Sequence, residues 1–308
     1  MRKLIIRLVL VVMLFGALTR YSLAARPSNI STCTIATHSA SISGGTLSYN
    51  TVGNGPAIVL LHGLFADKEQ WNSMMCQLSE AGYRTIAPDL PGYGNSNGFT
   101  LVQYALENQV KLIHKLINDL RISTFDLAGS SMGGAIAALY TQHYPQQVRS
   151  LAFIGSPLGV IDWTKSVREA IYQGINPFIP ITKEQFDLEI GLLFVNHPKI
   201  PGSVKAEKVK DYIARNRHYQ QVWDIVNLYD DSMCQSPSIQ APTLIIWGED
   251  DKIFDVSGAS RLQCCIPNSK MLKLPKAGHL LLMENAEAAA STYVNFLQSN
   301  KRVPQKNL

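Results

Sequence analysis

The chain has 308 residues, 46% of them hydrophobic, with a formal net charge of +5 and five cysteines. That suits one large α/β domain with an insertion, or two small domains. Four of the cations, Arg2, Lys3, Arg7 and Arg20, stand in the first 24 residues, which hold no acid; without them +5 becomes +1 and nothing suggests a nucleic-acid partner.

The chain opens with Met1-Arg2-Lys3, an apolar run from Leu8 to Leu18, and Ser22-Leu23-Ala24-Ala25. This is the charged, apolar and small-residue order of a secretory leader, so residues 1–24 are expected to be a signal peptide cut after Ala24, with Ala25 as the alternative. The apolar run falls short of the roughly 20 residues of a membrane span. A secreted or periplasmic protein follows from this reading, or a membrane-associated one if the leader stays. Residues 28–40 are polar and read as a loosely held arm. Ser41–Asn50 alternates around Gly44-Gly45, a hairpin signal, and Asn54-Gly55-Pro56 is a turn. Ala57–Leu61 is a continuous apolar run, as in a strand buried on both faces. It ends in His62-Gly63-Leu64-Phe65, and a helix is expected from Lys68 to about Ala81. Arg84–Pro88 reads as a strand ending at the Gly-rich loop Asp89–Ser96, and Thr100–Asn118 as an amphipathic helix.

Phe125–Gly129 reads as a short buried strand and Ala135–Leu139 as a small-residue helix. Between them Gly129-Ser130-Ser131-Met132-Gly133 matches the G-x-S-x-G nucleophile elbow. Small residues flank the serine because two backbones must approach closely there, and the helix N-terminus behind it favours developing negative charge. Val148–Gly155 is the next strand. Strands alternating with helices imply a mainly parallel sheet. The rhythm breaks between Pro157 and Ala241, where aromatics and prolines accompany helical pieces. The division expected is 25–157 for the first part of the core, 158–241 for an inserted helical cap, 242–300 for the rest of the core and 301–308 for a polar tail. Thr243–Gly248 and Lys270–Leu274 are the late strands, and Asn285–Gln298 the last helix.

A serine hydroxyl is a poor nucleophile without a base, and the base needs an orienting group. In this order of elements the acid and then the histidine follow the serine. The acid lies in Glu249-Asp250-Asp251, with Asp251 preferred over Asp250 and Asp162 less favoured. His279, in the turn after the strand ending at Leu274, is the base. His62 precedes the serine and is read as shaping the oxyanion loop. The oxyanion donors are expected to be the Leu64 and Met132 backbone N–H groups. Catalysis of this kind needs no cofactor. None of the cysteines (Cys33, Cys76, Cys234, Cys264, Cys265) has Cys-x-x-Cys or Cys–His ligand spacing, so no metal site is expected. Disulfide connectivity stays open, except that neighbouring Cys264 and Cys265 are strained partners for each other.

These residues together resemble the α/β-hydrolase family over nearly the whole chain beyond the leader. His62-Gly63 with Trp71, Asp89–Ser96, Gly129–Gly134, Trp247–Asp251 and Gly278-His279 carry the likeness. The segment from His62 to Trp71 is similar to that of monoacylglycerol lipases and of secreted Moraxella- and Psychrobacter-type lipases. Ser130 and Leu64 replace the Asn and Phe common in those relatives, and neither change removes a catalytic group. The resemblance implies an α/β fold with a helical lid and a serine lipase or carboxylesterase of lipid degradation. Phe65 is expected to line the substrate site, the partner is a small-molecule ester or lipid, and contact with a lipid interface stays open. Carbon–carbon hydrolases of ring-cleavage products share the triad and are the alternative, with thioesterases; a binding protein on the same scaffold is a third reading. Dehalogenases and epoxide hydrolases carry Asp at the elbow, which Ser131 opposes.

Overall fold

Residues 33–229 and 239–300 are described by a computed structural model. The expected leader, the start of the polar arm, Cys234 and the tail lie outside them. Among the described residues no helix is long and apolar enough to cross a membrane.

The described residues begin with an antiparallel hairpin, β1 (Ala36–Ile42) and β2 (Gly45–Val52). Ser43 and Gly44 both take positive φ at its turn, which explains the Gly-Gly signal. The arm reading is corrected here: Ala36–Ala40 are strand, not loose chain. Their side chains are mostly exposed, so no apolar alternation marks them, and the order comes from backbone pairing with β2. A disulfide from Cys33 to Cys76 ties the start of this hairpin to the first helix. Cys265 is also disulfide-bonded, and Cys264 is a free, exposed thiol.

Strand β3 (Ala57–Leu61) follows, then a single tight turn Lys68–Trp71 running into α1 (Asn72–Glu80), and β4 (Arg84–Pro88). The amphipathic stretch after the Gly-rich loop is not one helix. Thr100 and Gln103 close a capping box on a short turn, Ala105 is extended, and α2 spans Leu106–Asp119. Strand β5 (Phe125–Gly129), α3 (Met132–His143) and β6 (Val148–Ile154) are the middle of the fold. Among the described residues four helices stand between β6 and the next strand: α4 (Lys165–Tyr172), α5 (Lys183–Leu193), α6 (Gly202–Ala214) and α7 (Asn216–Val226). The chain returns with β7 (Thr243–Gly248), α8 (Ser257–Cys265), β8 (Ser269–Leu274), the short α9 (Leu281–Glu284) and α10 (Ala286–Ser299).

The strands form one eight-stranded sheet in the order β1-β2-β4-β3-β5-β6-β7-β8. Among the described strands the β1–β2 and β2–β4 pairings are antiparallel and the other pairings are parallel. The apolar strands are covered on both faces, which is why they read as unbroken runs. In β3 Val59 and Leu61 face the side carrying α2 and α3, while Ile58 and Leu60 face α1 and α10. Helix α3 is buried from Met132 to Thr141. A helix apolar all round must be enclosed, so it sits centrally behind the elbow.

Beside the elbow a buried ion pair fixes two loops. Lys68 Nζ lies 2.8 Å from Asp89 Oδ2, with the two side chains 1% and 0% exposed. The Lys68 and Asn95 N–H groups also donate to the Asp89 carboxylate, each at 2.8 Å. Burial opposes the Lys68 charge, but the Asp89 carboxylate outweighs it and holds the ammonium above its ordinary value. Lys68→Met strips Asp89 of its cation inside the protein. The expected loss is about 3–5 kcal/mol of unfolding free energy. Urea unfolding of the variant measures it, and a loss under about 1 kcal/mol would mean that the pair behaves like a surface contact.

Candidate active site

The nucleophile elbow is a consequence of close packing. Ser131 has φ +53° and ψ −121°, a strained conformation for a residue with a side chain. A Cβ on Gly129 would stand 2.2 Å from the Gly133 carbonyl oxygen, and one on Gly133 would stand 2.1 Å from that of Leu61. Neither position accepts any other residue, which is the physical content of the two flanking glycines. The bend leaves Ser131 half-buried in the wall of a cavity.

His279 lies in the turn after β8 and lines the same cavity. Its Nδ1 is 3.0 Å from Asp251 Oδ2. Asp251 Oδ1 accepts from the Ile253 and Phe254 N–H groups at 2.8 and 3.1 Å, so the carboxylate cannot rotate freely. Asp250 is exposed and touches the site only through its backbone, donating to the Ala277 carbonyl at 3.0 Å. Asp162 is exposed as well. The structure thus brings Asp251 and His279 together and leaves the two other acids outside. Ser131 Oγ has no hydrogen-bond partner among the described residues, the loose arrangement common in hydrolases without ligand.

Ser156, two residues beyond β6, was not anticipated. Its hydroxyl donates to Asp251 Oδ2 and lies 2.9 Å from His279 Nδ1. Strand β6 sits between β5 and β7, and Ile154 pairs with Ile246. That register carries residue 156 to the acid loop. The signal was available only with strand order in hand.

The loop after β3 is held from three sides. The Gly63 N–H donates to Gln70 Oε1 at 3.2 Å, His62 Nδ1 lies 2.8 Å from the Gly63 carbonyl, and His62 Nε2 accepts from the Leu90 N–H at 2.9 Å. Those roles make His62 an Nδ1–H tautomer. Burial pushes its pKa down to about 4, so it is neutral and structural at physiological pH. Nearby Asp67 is pushed up to about 7, first by burial and then by the Glu69 and Asp89 carboxylates. Gly63 passes close to Ser131, and an added Cβ would sit 3.2 Å from the Ser131 Cβ. Among the described residues, no protein acceptor takes the Leu64 or the Met132 N–H.

The helices between β6 and β7 close over this end of the sheet. Phe65 stacks edge-on against Tyr219 of α7 with centroids 5.2 Å apart, and His218 Nε2 lies 2.7 Å from the Gly92 carbonyl. Trp163 packs on Phe254 at 4.7 Å, and Phe254 on His279 at 5.8 Å. The Glu284 carboxylate accepts from the Gly278 N–H beside His279 and from the Val195 and Asn196 N–H groups after α5. One carboxylate therefore joins the histidine turn to the inserted helices. The cavity holds about 190 Å³. Trp163, Phe178, Phe186, Leu193 and Phe194 make most of its wall apolar, and Phe65 also lies on it. Among the described residues no cluster of three or more His, Cys, Asp or Glu side chains could hold a metal ion.

Known proteins resemble this chain in sequence and in fold. The chain is 32% identical over 260 residues to monoacylglycerol lipase ABHD6 of Bos taurus, covering 80% of this chain and 77% of that protein. It is 28% identical over 265 residues to lipase 1 of Psychrobacter immobilis, covering 82% and 81%. A crystal structure described as a membrane phospholipase A and bacterial virulence factor superposes with a TM-score of 0.81 at 26% identity, covering 98% of this chain and all of that one. These relatives are named for lipid ester hydrolysis, and the chain is a lipase-like hydrolase of the same kind. The profile of the alpha/beta hydrolase fold matches residues 56–188 and 195–286. With the strand order, the strained serine and the His279–Asp251 contact already pointing the same way, the chain belongs to the α/β-hydrolase family.

Proposed function

We propose that this protein is an exported serine hydrolase that cleaves acylglycerols or related acyl esters through Ser131, His279 and Asp251. The observation that carries the reading is the Asp251-oriented imidazole on the wall of the cavity into which Ser131 is bent. Ser131 Oγ attacks the ester carbonyl. His279 Nε2 takes the serine proton and returns it to the departing alkoxide, so the alcohol leaves and an acyl-serine remains. Asp251 keeps the proton of the resting imidazole on Nδ1 and stabilises the imidazolium. The Leu64 and Met132 N–H groups receive the oxyanion, the second aided by the N-terminus of α3. Water, activated by the same imidazole, then releases the carboxylic acid. No step requires a metal or organic cofactor.

Two features support an acyl substrate over a small polar one. The cavity wall is predominantly aromatic and aliphatic, and buried apolar surface favours a hydrocarbon chain. In this reading the helices that supply this wall act as a lid over the core, and the charged, apolar and small-residue order of residues 1–24 supports export. The purified protein should release acid from a chain-length series of nitrophenyl esters. Tight ligand binding with no turnover of any ester would replace the hydrolase reading with that of a binding protein.

A further inference from the structure

Besides Ser131, His279 and their neighbours Ser130 and Gln70, three polar side chains of the inserted helices line the otherwise mainly apolar cavity: Glu189, Lys208 and Tyr212. Glu189 belongs to α5, and the other two belong to α6. Glu189 is only 6% exposed. The Tyr212 hydroxyl donates to its Oε1 at 3.1 Å, and its second oxygen has no protein partner among the described residues. A carboxyl in such a place is expensive unless something uses it. Burial pushes its pKa up to about 8, against the smaller opposing effects of the Tyr212 hydrogen bond and the Lys208 charge. At neutral pH the group is therefore mainly the uncharged acid, which both donates and accepts hydrogen bonds. Tyr212 packs on Tyr219 at 4.9 Å, and Tyr219 on Phe65, so the polar side is braced against the loop after β3. Trp163 and Phe178, packed on each other at 5.5 Å, belong to the aromatic part of the same wall.

An acyl chain carries no hydrogen-bonding group beyond its ester. Laid against Glu189 it would leave the acid unpaired, whereas free hydroxyls on the alcohol half of the ester would satisfy it. We propose that Glu189, held by Tyr212 with Lys208 beside it, determines specificity by binding the free hydroxyls of a polyol leaving group, so that glyceryl esters are preferred over simple alkyl esters. The proposal rests on the ester-hydrolase reading above and deepens it by assigning the alcohol side of the cavity.

The test compares two esters of the same acid, 1-lauroylglycerol and methyl laurate, in the same detergent micelles, with lauric acid release as the readout. The full-length protein should favour the glyceryl ester in kcat/KM. In Glu189→Leu the ratio of the two kcat/KM values should fall by about 5- to 30-fold, the worth of one or two lost hydrogen bonds. An unchanged ratio, or equal losses on both esters, overturns the assignment while leaving the hydrolase reading intact. A wild-type protein inert toward both esters overturns the hydrolase reading and the assignment with it. Labelling by a fluorophosphonate reports whether each variant has an assembled site. If Glu189→Leu does not label, Tyr212→Phe, which keeps the ring, is judged by the same ratio.

Discussion

Ser131→Ala should abolish ester hydrolysis and covalent labelling by a fluorophosphonate together. The expected fall in kcat is on the order of 10⁴- to 10⁶-fold, because without the oxygen nucleophile only substrate binding and the oxyanion donors remain. Alanine keeps the Cβ that the strained φ of +53° already tolerates, so folding should change little. Thermal unfolding within a few degrees of the wild type would establish that. A variant that still labels, or that keeps more than about one hundredth of the rate, would place the nucleophile elsewhere. The neighbouring hydroxyl is the internal control. Ser130 is 1% exposed and buried under the turn, and its replacement by alanine should leave labelling in place. A loss with Ser130 and not with Ser131 would reverse the assignment.

What could be seen without coordinates divides along a physical line. Strands buried on both faces, such as Ala57–Leu61 and Thr243–Gly248, announce themselves because nearly every residue is apolar, Thr243 being a buried exception. The elbow is legible because its glycines answer to local backbone crowding, and local crowding leaves a local motif. Strand β1 was hidden for the opposite reason. It is an exposed edge whose order comes from a hairpin partner, and its sequence is that of a polar loop. The break at Ala105 was hidden as well, since apolar periodicity runs through a bend that only the Thr100 and Gln103 cap betrays. At the site, the candidates Ser131, Asp251 and His279 follow a chain order that a sequence can carry, whereas a residue set by three-dimensional register leaves no such trace. Ser156 meets Asp251 and His279 across 95 and 123 residues of sequence, and no spacing rule connects them. Glu189 on α5 looks like any acid on a solvated helix face until the helix is turned toward the cavity.

Asp251→Asn should lower kcat by about 10⁴-fold with little change in stability, while Asp250→Asn should leave it within a few-fold of wild type. The outcome depends on which nitrogen of His279 carries the proton. Asp251 Oδ2 faces Nδ1 at 3.0 Å, and as an acceptor it holds the hydrogen there, leaving the lone pair of Nε2 free to take the Ser131 proton. An asparagine keeps the two backbone donors of Ile253 and Phe254 on its carbonyl oxygen. Its amide nitrogen then replaces Oδ2 and presents hydrogens toward Nδ1. The imidazole answers with the other tautomer, with Nε2 protonated and useless as a base. Ser156 refines the test, since its hydroxyl lies against the same oxygen and the same nitrogen. Ser156→Ala removes one neutral hydrogen bond, so a loss of only about 5- to 10-fold is expected. That ordering, with Asp251 far more costly than Ser156 and Asp250 nearly silent, follows from the hydrogen-bond geometry alone. Steady-state kinetics on a short-chain nitrophenyl ester reads all three. If Asp250→Asn carried the large loss instead, the buried carboxylate beside His279 would not be the one that orients it during turnover.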